Sequence, residues 1–196
     1  LTACDITYVK NRKYYLGTSE SQHGDKTWYY AICINLWPRR VKEDFYTLRD
    51  LDINGQYVLY NWFTNEVNTI DEETRISHDL KYEQYEYEIF APLLDNGMSI
   101  IGDPTKYVTM NDTEFSNFKS DENRIALDIT NIEGETSELL IYSPVEPETV
   151  VLDGQKLHDT TKVGENRYYY DKETLLLHIW IEFEKDSKKT ISVVLD

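Results

Sequence analysis

Hydrophobic and polar residues alternate in short runs along most of this chain. The clearest run is KYEQYEYEIFAPLLDNG (81–97). Successive side chains of a strand point to opposite faces, so this alternation predicts a half-buried strand. Its predicted inward face carries Tyr85, Tyr87, Ile89, Ala91 and Leu93, and its predicted solvent-facing side carries Gln84, Glu86 and Glu88.

Similar short runs rich in aromatic and β-branched residues occur throughout the sequence and predict further strands. They are TWYYAICIN (27–35), QYVLYNWF (56–63), NRIALDITN (123–131), SELLIYS (137–143), TVVLDG (149–154), RYYYD (167–171), TLLLHIWIEF (174–183) and KTISVVL (189–195). Turn residues at Asn54–Gly55 and Asp95–Gly97 separate some of them. This spacing predicts an all-β fold, an antiparallel β-sandwich.

Helical periodicity is nearly absent. Residues 42–51 fit either a short helix or a strand, and the polar stretch 111–123 is predicted to be a loop. We find no internal repeat and no linker-like segment, so the sequence predicts a single domain over 1–196. Its first residue is Leu1, and we expect a processed chain or a piece of a longer one.

Composition excludes several classes of partner. The 196 residues contain 36 Asp and Glu against 20 Lys and Arg, a net charge of −16. Such a surface repels nucleic acids and anionic lipids, while neutral sugars remain acceptable ligands. No apolar run reaches the roughly 18–20 residues that span a bilayer. We therefore expect neither nucleic acid nor a membrane as a partner.

The chain has two cysteines, Cys4 and Cys33. LTAC (1–4) resembles the short box before a lipid-modified cysteine, a signal that also requires a preceding apolar segment. Cys33 lies in the apolar run AICIN and is expected to be a small core residue. So few cysteines favour a reducing, cytoplasmic location.

Signature motifs of nucleophilic, phosphate-binding and metal-dependent enzymes are missing from the sequence. The four histidines, His23, His78, His158 and His178, are scattered without metal-ligand spacing. We expect surface or structural roles for them, with no metal and no cofactor.

Two features could still bind or cleave a sugar. Glu86 and Glu88 stand roughly 7 Å apart on one side of the predicted strand, within the range of glycosidase carboxylate pairs. An open face would give them neither a cleft nor unequal environments, so we expect no catalytic role. Trp37 and Trp62, near strand ends, are the candidate platform for stacking on a sugar, against the alternative of core or interface packing.

Several segments, in order along the chain, resemble the plant raffinose synthases and their α-galactosidase-like relatives. They are YAICINL (30–36), TLRDLDINGQYVLYNWFTNEV (47–67), LKYEQYEYEIFAPLLDNGMSIIGDPTKYV (80–108), LLIYSPVEPETVVLDGQKL (139–157) and YYYDKETLLLHIWIEF (168–183). The chain departs from the family at Thr64–Glu66, where a Ser-Gly-Glu-like turn is typical, and at WPRRVKEDF (37–45), which replaces a segment rich in Gly and Cys. These departures favour a microbial glycosidase relative over a raffinose-forming transferase.

The resemblance implies a role within a larger protein. In that family a catalytic (β/α)₈ barrel precedes the matched region, which is a C-terminal β domain without known catalytic residues. No catalytic position is therefore transferred to this chain, and the barrel is its expected partner. The alternatives are a stand-alone carbohydrate-binding module using exposed tryptophans, and a complete small enzyme using Glu86 and Glu88.

Overall fold

The computed structural model describes residues 5–7, 14–160, 166–184 and 188–196. Cys4 and the LTAC segment lie outside them. The described residues form strands joined by turns and loops, with one 3₁₀ turn at Leu48–Leu51, which confirms the predicted all-β sandwich class. The described part of the chain contains no helix with the length and apolarity needed to span a bilayer.

Contacts divide these residues into two compact units, one within 1–21 and 27–92 and the other within 22–26 and 93–196. The prediction of a single domain stays a prediction. Strands of the first unit are β1 (Asp5–Thr7), β2 (Tyr15–His23), β3 (Lys26–Ile34), β4 (Val41–Tyr46), β5 (Tyr57–Asn61), β6 (Val67–Ile70), β7 (Ile76–Leu80) and β8 (Tyr85–Pro92), with the tip of the β2–β3 hairpin assigned to the second unit.

The first unit has a six-stranded sheet in the order β1-β2-β3-β8-β5-β6 and a two-stranded sheet, β4-β7. Strand β8 is central, antiparallel to both β3 and β5. One core cluster contains side chains of both sheets, among them Ala31, Cys33 and Phe90 from the large sheet and Tyr46 and Leu80 from the small one. The two sheets therefore enclose a common core.

The second unit contains two five-stranded sheets. Their strands are β9 (Ser99–Gly102), β10 (Phe115–Ser120), β11 (Arg124–Thr130), β12 (Thr136–Tyr142), β13 (Thr149–Leu152), β14 (Gln155–Lys156), β15 (His158–Asp159), β16 (Arg167–Asp171), β17 (Leu176–Glu182) and β18 (Lys188–Val194). The orders are β10-β11-β18-β13-β14 and β15-β16-β17-β12-β9, and only the short β15–β16 pair is parallel among the pairings described.

Local structure differs from expectation in two stretches. Residues 42–51, predicted as helix or strand, form most of β4 followed by the 3₁₀ turn, which Thr47 and Asp50 cap reciprocally. The predicted loop 111–123 contains β10, whose register shifts between Ser116 and Lys119. Its polar sequence hides the strand because the irregular pairing breaks the alternation that the prediction relies on.

Gly102 ends β9 where another segment of backbone comes very close. Its φ is +100°, and a Cβ built there would lie 2.2 Å from the carbonyl oxygen of Thr109. Backbone cannot yield as a flexible side chain can, so this position needs glycine.

We expect Gly102→Ala to lower the free energy of unfolding by ~3 kcal/mol or more, because it combines a left-handed φ with a backbone clash. The matched control is Gly24→Ala, where φ is +65° and nothing lies within 4 Å of the added carbon. That change should cost about 1 kcal/mol. Urea unfolding followed by tryptophan fluorescence measures both, and equal losses would contradict the proposed clash.

Candidate functional site

Glu88 is the most unusual side chain of the first unit. The sequence predicts that it faces water, and this is wrong: it is 3% exposed. Its side of β8 is shared with Phe90 and faces the core that β4 and β7 cover. Tyr85, predicted to face inward, is exposed, and both faces of β8 become buried only from Tyr87 onward.

Two neighbours meet the same oxygen of Glu88. The Tyr46 hydroxyl, from β4, donates a hydrogen bond to Oε2. His78 Nε2, from β7, lies 3.7 Å from that oxygen. Cys33 approaches from β3, and Glu86 is two residues away on β8, so four strands bring polar groups towards this carboxyl.

Burial raises the pKa of Glu88 from its ordinary value of 4.5 to about 7. The Tyr46 hydrogen bond acts in the opposite direction, and the charge of Glu86 adds to the increase. Burial likewise raises the pKa of the Cys33 thiol, and the charge of Glu88 raises it further. Glu88 therefore titrates near neutral pH, above the range of an ordinary glutamate.

Aromatic rings hold His78 in place. The Tyr46 ring stacks on the imidazole with centroids 5.6 Å apart and planes 21° apart. The Tyr14 ring meets it edge-on, with centroids 5.4 Å apart. Donor atoms of His78, Cys33 and Glu88 all lie within 4.8 Å of one another, which makes these three the group able to hold a metal ion among the described residues.

A groove of about 520 Å³ reaches this cluster. Its lining includes the buried His78 and Glu88 as well as the exposed Glu66, so the cluster lies at the inner end. Glu86 lines the groove too, and its Oε2 accepts a hydrogen bond of 3.0 Å from the side-chain amide of Asn61. The pair Glu86 and Glu88 thus has both a cleft and unequal environments, contrary to the expectation of an open face.

The predicted sugar-binding residues lie elsewhere on the unit. Trp37 is 61% exposed and sits in the loop after β3. The buried Asn35 holds this loop: its side-chain oxygen accepts from the Trp37 backbone N–H, and its amide donates to the carbonyls of Arg39 and Leu80.

Trp62 follows β5 and is half-buried. It packs edge-on against Phe63, with centroids 5.2 Å apart, and Phe63 in turn contacts Tyr85. Strands β3 and β5 are both antiparallel to β8, so their C-terminal ends lie at one edge of the sheet, separated by β8 alone. The two strands lie roughly 10 Å apart across β8, and their ends are offset by three residues along it, so the strand ends that precede the two tryptophans stand roughly 14 Å apart.

The histidines fall in four different settings. His23 Nε2 lies 2.8 Å from the carbonyl oxygen of Met110, His178 Nδ1 lies 2.7 Å from a carboxylate oxygen of Glu138, and His158 is exposed. Only His78, of these four, joins the metal-capable cluster. The sequence ISHDL already indicated its burial, because the histidine shares one face of β7 with Ile76 and Leu80.

Comparisons with known proteins find similarity at the level of structure alone. No protein-family model matches the chain, and no curated protein matches it. Similar solved structures include a candidate α-N-acetylgalactosaminidase of Bacillus halodurans, with 15% identity, a TM-score of 0.39 and coverage of 46% of this chain and 21% of that protein.

Two further structures are of a GH31 dextranase of Flavobacterium johnsoniae. The complex with glucose has 10% identity and a TM-score of 0.44, and a variant complexed with isomaltotriose has 8% and 0.45. Each match covers 93% of this chain and 26% of the dextranase. The chain thus spans about a quarter or less of the proteins it matches, and at these TM-scores the similarity carries no argument about function.

Stability should depend on pH through Glu88. Between pH 4.5 and about 7 the folded protein keeps a proton that the unfolded chain has released, so stability falls as pH rises through this window. The decline amounts to ~3 kcal/mol, and Glu88→Gln should abolish it. Urea unfolding from pH 4 to 8 measures this, with a chelator present because Glu88 belongs to the metal-capable group.

Glu66→Gln is the matched control, since Glu66 lines the same groove but is exposed. It should keep the decline of the parent protein. An unchanged slope in Glu88→Gln would show that another group titrates in this window.

Proposed function

We propose that this chain is the non-catalytic C-terminal β-sandwich region of a glycoside hydrolase of the α-galactosidase and raffinose-synthase type. It packs against a catalytic barrel that precedes it and stabilises that barrel, in the cytoplasm, without nucleic acid or membrane partners. The observation that carries this proposal is the set of family-like segments between 30 and 183, which follow the family's order. A (β/α)₈ barrel typically takes roughly 250 residues, more than this chain has.

The structure of Glu88 supports a non-catalytic role for this region. A glycosidase acid must reach the glycosidic oxygen directly. Glu88 is buried, and Tyr46 hydrogen-bonds the oxygen that lies nearest His78. Burial and the phenol on one of its two oxygens restrict the access of a sugar to this carboxyl, so the unequal environments of Glu86 and Glu88 do not by themselves form an active site.

Packing on a barrel offers a clear energetic role. Interfaces between domains of one chain bury roughly 600–1,500 Å². At ~25 cal/mol per Å² of apolar area, such a contact contributes on the order of 10 kcal/mol before opposing terms, comparable with the whole stability of a domain. A barrel deprived of this region should therefore unfold more easily.

We expect the purified chain to fold and to release no product from 4-nitrophenyl α-galactoside or raffinose. In the complete polypeptide, deletion of this region should lower the Tm of the barrel by several degrees or abolish its soluble expression. Differential scanning calorimetry and chromogenic assays measure the two outcomes.

The double variant Glu86→Gln and Glu88→Gln provides the control for activity. Turnover by the purified chain that disappears in this variant would establish the small-enzyme alternative. A complete polypeptide that contains no barrel before this region would contradict the proposal.

A second candidate function is carbohydrate binding. The exposure of Trp37 and its location at the same sheet edge as Trp62 favour it, because a planar ring near another can stack on the faces of a bound sugar.

If this function is present, isothermal titration with an oligosaccharide panel should give saturable heat that Trp37→Ala or Trp62→Ala abolishes. Tyr107→Ala, which removes another exposed aromatic ring, is the control and should bind normally. Silence across α- and β-linked glucans, galactans and raffinose-type sugars would remove this candidate.

A further inference from the structure

Three strands each deliver one metal-binding side chain to the core of the first unit. Cys33 comes from β3, His78 from β7 and Glu88 from β8, and these side chains belong to residues that are 0%, 6% and 3% exposed. Their sulfur, nitrogen and oxygen atoms lie within 4.8 Å of one another. Residues so far apart in sequence reach one point only because the small sheet folds over the large one.

The geometry points to a binding site for a zinc-like divalent cation formed by Cys33, His78 and Glu88. Thiolate, imidazole and carboxylate are the three side-chain ligands that zinc uses in proteins. With ordinary zinc bond lengths, tetrahedral ligand atoms stand roughly 3.3–3.7 Å apart. The His78 Nε2 to Glu88 Oε2 distance is 3.7 Å, and ligand atoms of all three residues lie within 4.8 Å of one another, so small side-chain shifts would complete the set.

Charge balance also favours a cation. As metal ligands, the Cys33 thiolate and the Glu88 carboxylate carry two negative charges that a divalent cation offsets, whereas without the cation burial keeps the thiol protonated. A doubly charged cation held by Cys33, Glu88 and a neutral His78 gives a centre of zero net charge, which can be buried at low electrostatic cost.

The groups around the three ligands are those that position a metal site. The Tyr46 hydroxyl donates to Glu88 and its ring stacks on His78, so one side chain orients two ligands. Such outer contacts are a regular part of protein metal sites, and their loss typically weakens binding about 10–100-fold.

The groove gives the ion a route and a fourth ligand. His78 and Glu88 line its inner end, so the groove ends beside two of the three ligands, although His78 Nε2 itself is buried. Three protein ligands plus one exchangeable position is the arrangement of zinc sites that bind water or small molecules. Glu86 and Glu66 also line the groove and favour entry of a cation, whereas Arg75 in the same lining opposes it and Asp79 is paired with Arg40.

The rival explanation is a polar core cluster without a metal, which the sequence-based expectation of no metal would fit. The metal site predicts that one ion binds per chain and that binding requires Cys33, whereas a polar cluster without a metal predicts neither. The metal site is also independent of the proposed role in a glycoside hydrolase, since it rests on these three residues alone.

Cobalt binding tests the site directly. After treatment with EDTA and removal of the chelator, the purified chain should bind one equivalent of Co²⁺ and show the near-ultraviolet charge-transfer band of a cobalt–thiolate bond. Addition of Zn²⁺ should displace the cobalt, bleach the band and raise the Tm. Isothermal titration with Zn²⁺ alone gives the affinity.

Variants locate the ligands. Cys33→Ala, a small apolar change in the core, should remove the band and weaken zinc binding by roughly 100-fold or more, and Tyr46→Phe should weaken it about 10-fold. Cys4→Ala, which removes the other cysteine, should leave the cobalt band and the zinc affinity unchanged. His78→Asn and Glu88→Gln should behave as Cys33→Ala, with circular dichroism confirming their fold.

Two results would overturn the assignment. One is a titration with Zn²⁺ or Co²⁺ that saturates well below one equivalent per chain or shows no saturable binding. The other is a band or an affinity that survives in Cys33→Ala, which would locate any bound ion at another part of the chain.

Discussion

The hydrogen bond from Tyr46 to Glu88 sets the main constraint on the first unit, because it holds a carboxyl group inside a core of mostly apolar and aromatic side chains. Burial of such a group without a partner costs several kcal/mol, so the strand that carries Glu88 and the strand that carries Tyr46 must meet at this point. A slip of β8 by one residue would bring a hydrophobic side chain to the phenol and send the carboxyl to the other buried face. The contact therefore fixes the register of the central strand as well as the seat of the small sheet.

This constraint also shapes what the site can do. The phenol that stabilises Glu88 occupies one of the two oxygens of a buried carboxyl. The same phenol holds the carboxyl next to His78 and Cys33, which suits an ion better than a substrate. Tyr46 thus holds the Glu88 carboxyl in the position where it can act as a metal ligand.

Sequence reasoning recovered the strand composition of the fold because period-two alternation is a local property. It found β3, β8, β11 and β17 within a few residues, while β10 escaped because its pairing shifts along the strand. Alternation says which residues share a face but not which face a second sheet will cover. For Glu88 that information resides in β4 and β7, more than 40 residues and 8 residues away along the chain, and no local pattern contains it.

The candidate site was hidden for the same reason. Cys33, His78 and Glu88 have no ligand spacing in sequence, since three strands of two sheets bring them together. Trp37 and Trp62, by contrast, follow strand ends that the sequence already indicated, and the structure places those ends at one sheet edge.

The β2–β3 hairpin has a consequence for how such a chain can evolve. Its tip, Gln22–Lys26, belongs to the second unit although the strands that carry it lie in the first. The tip supplies His23, whose ring meets the carbonyl of Met110. Recombination between Pro92 and Leu93 would therefore not exchange a complete unit. The part from Leu93 onward would lack His23 and its contact with Met110. We therefore expect the segments before and after residue 92 to be inherited together.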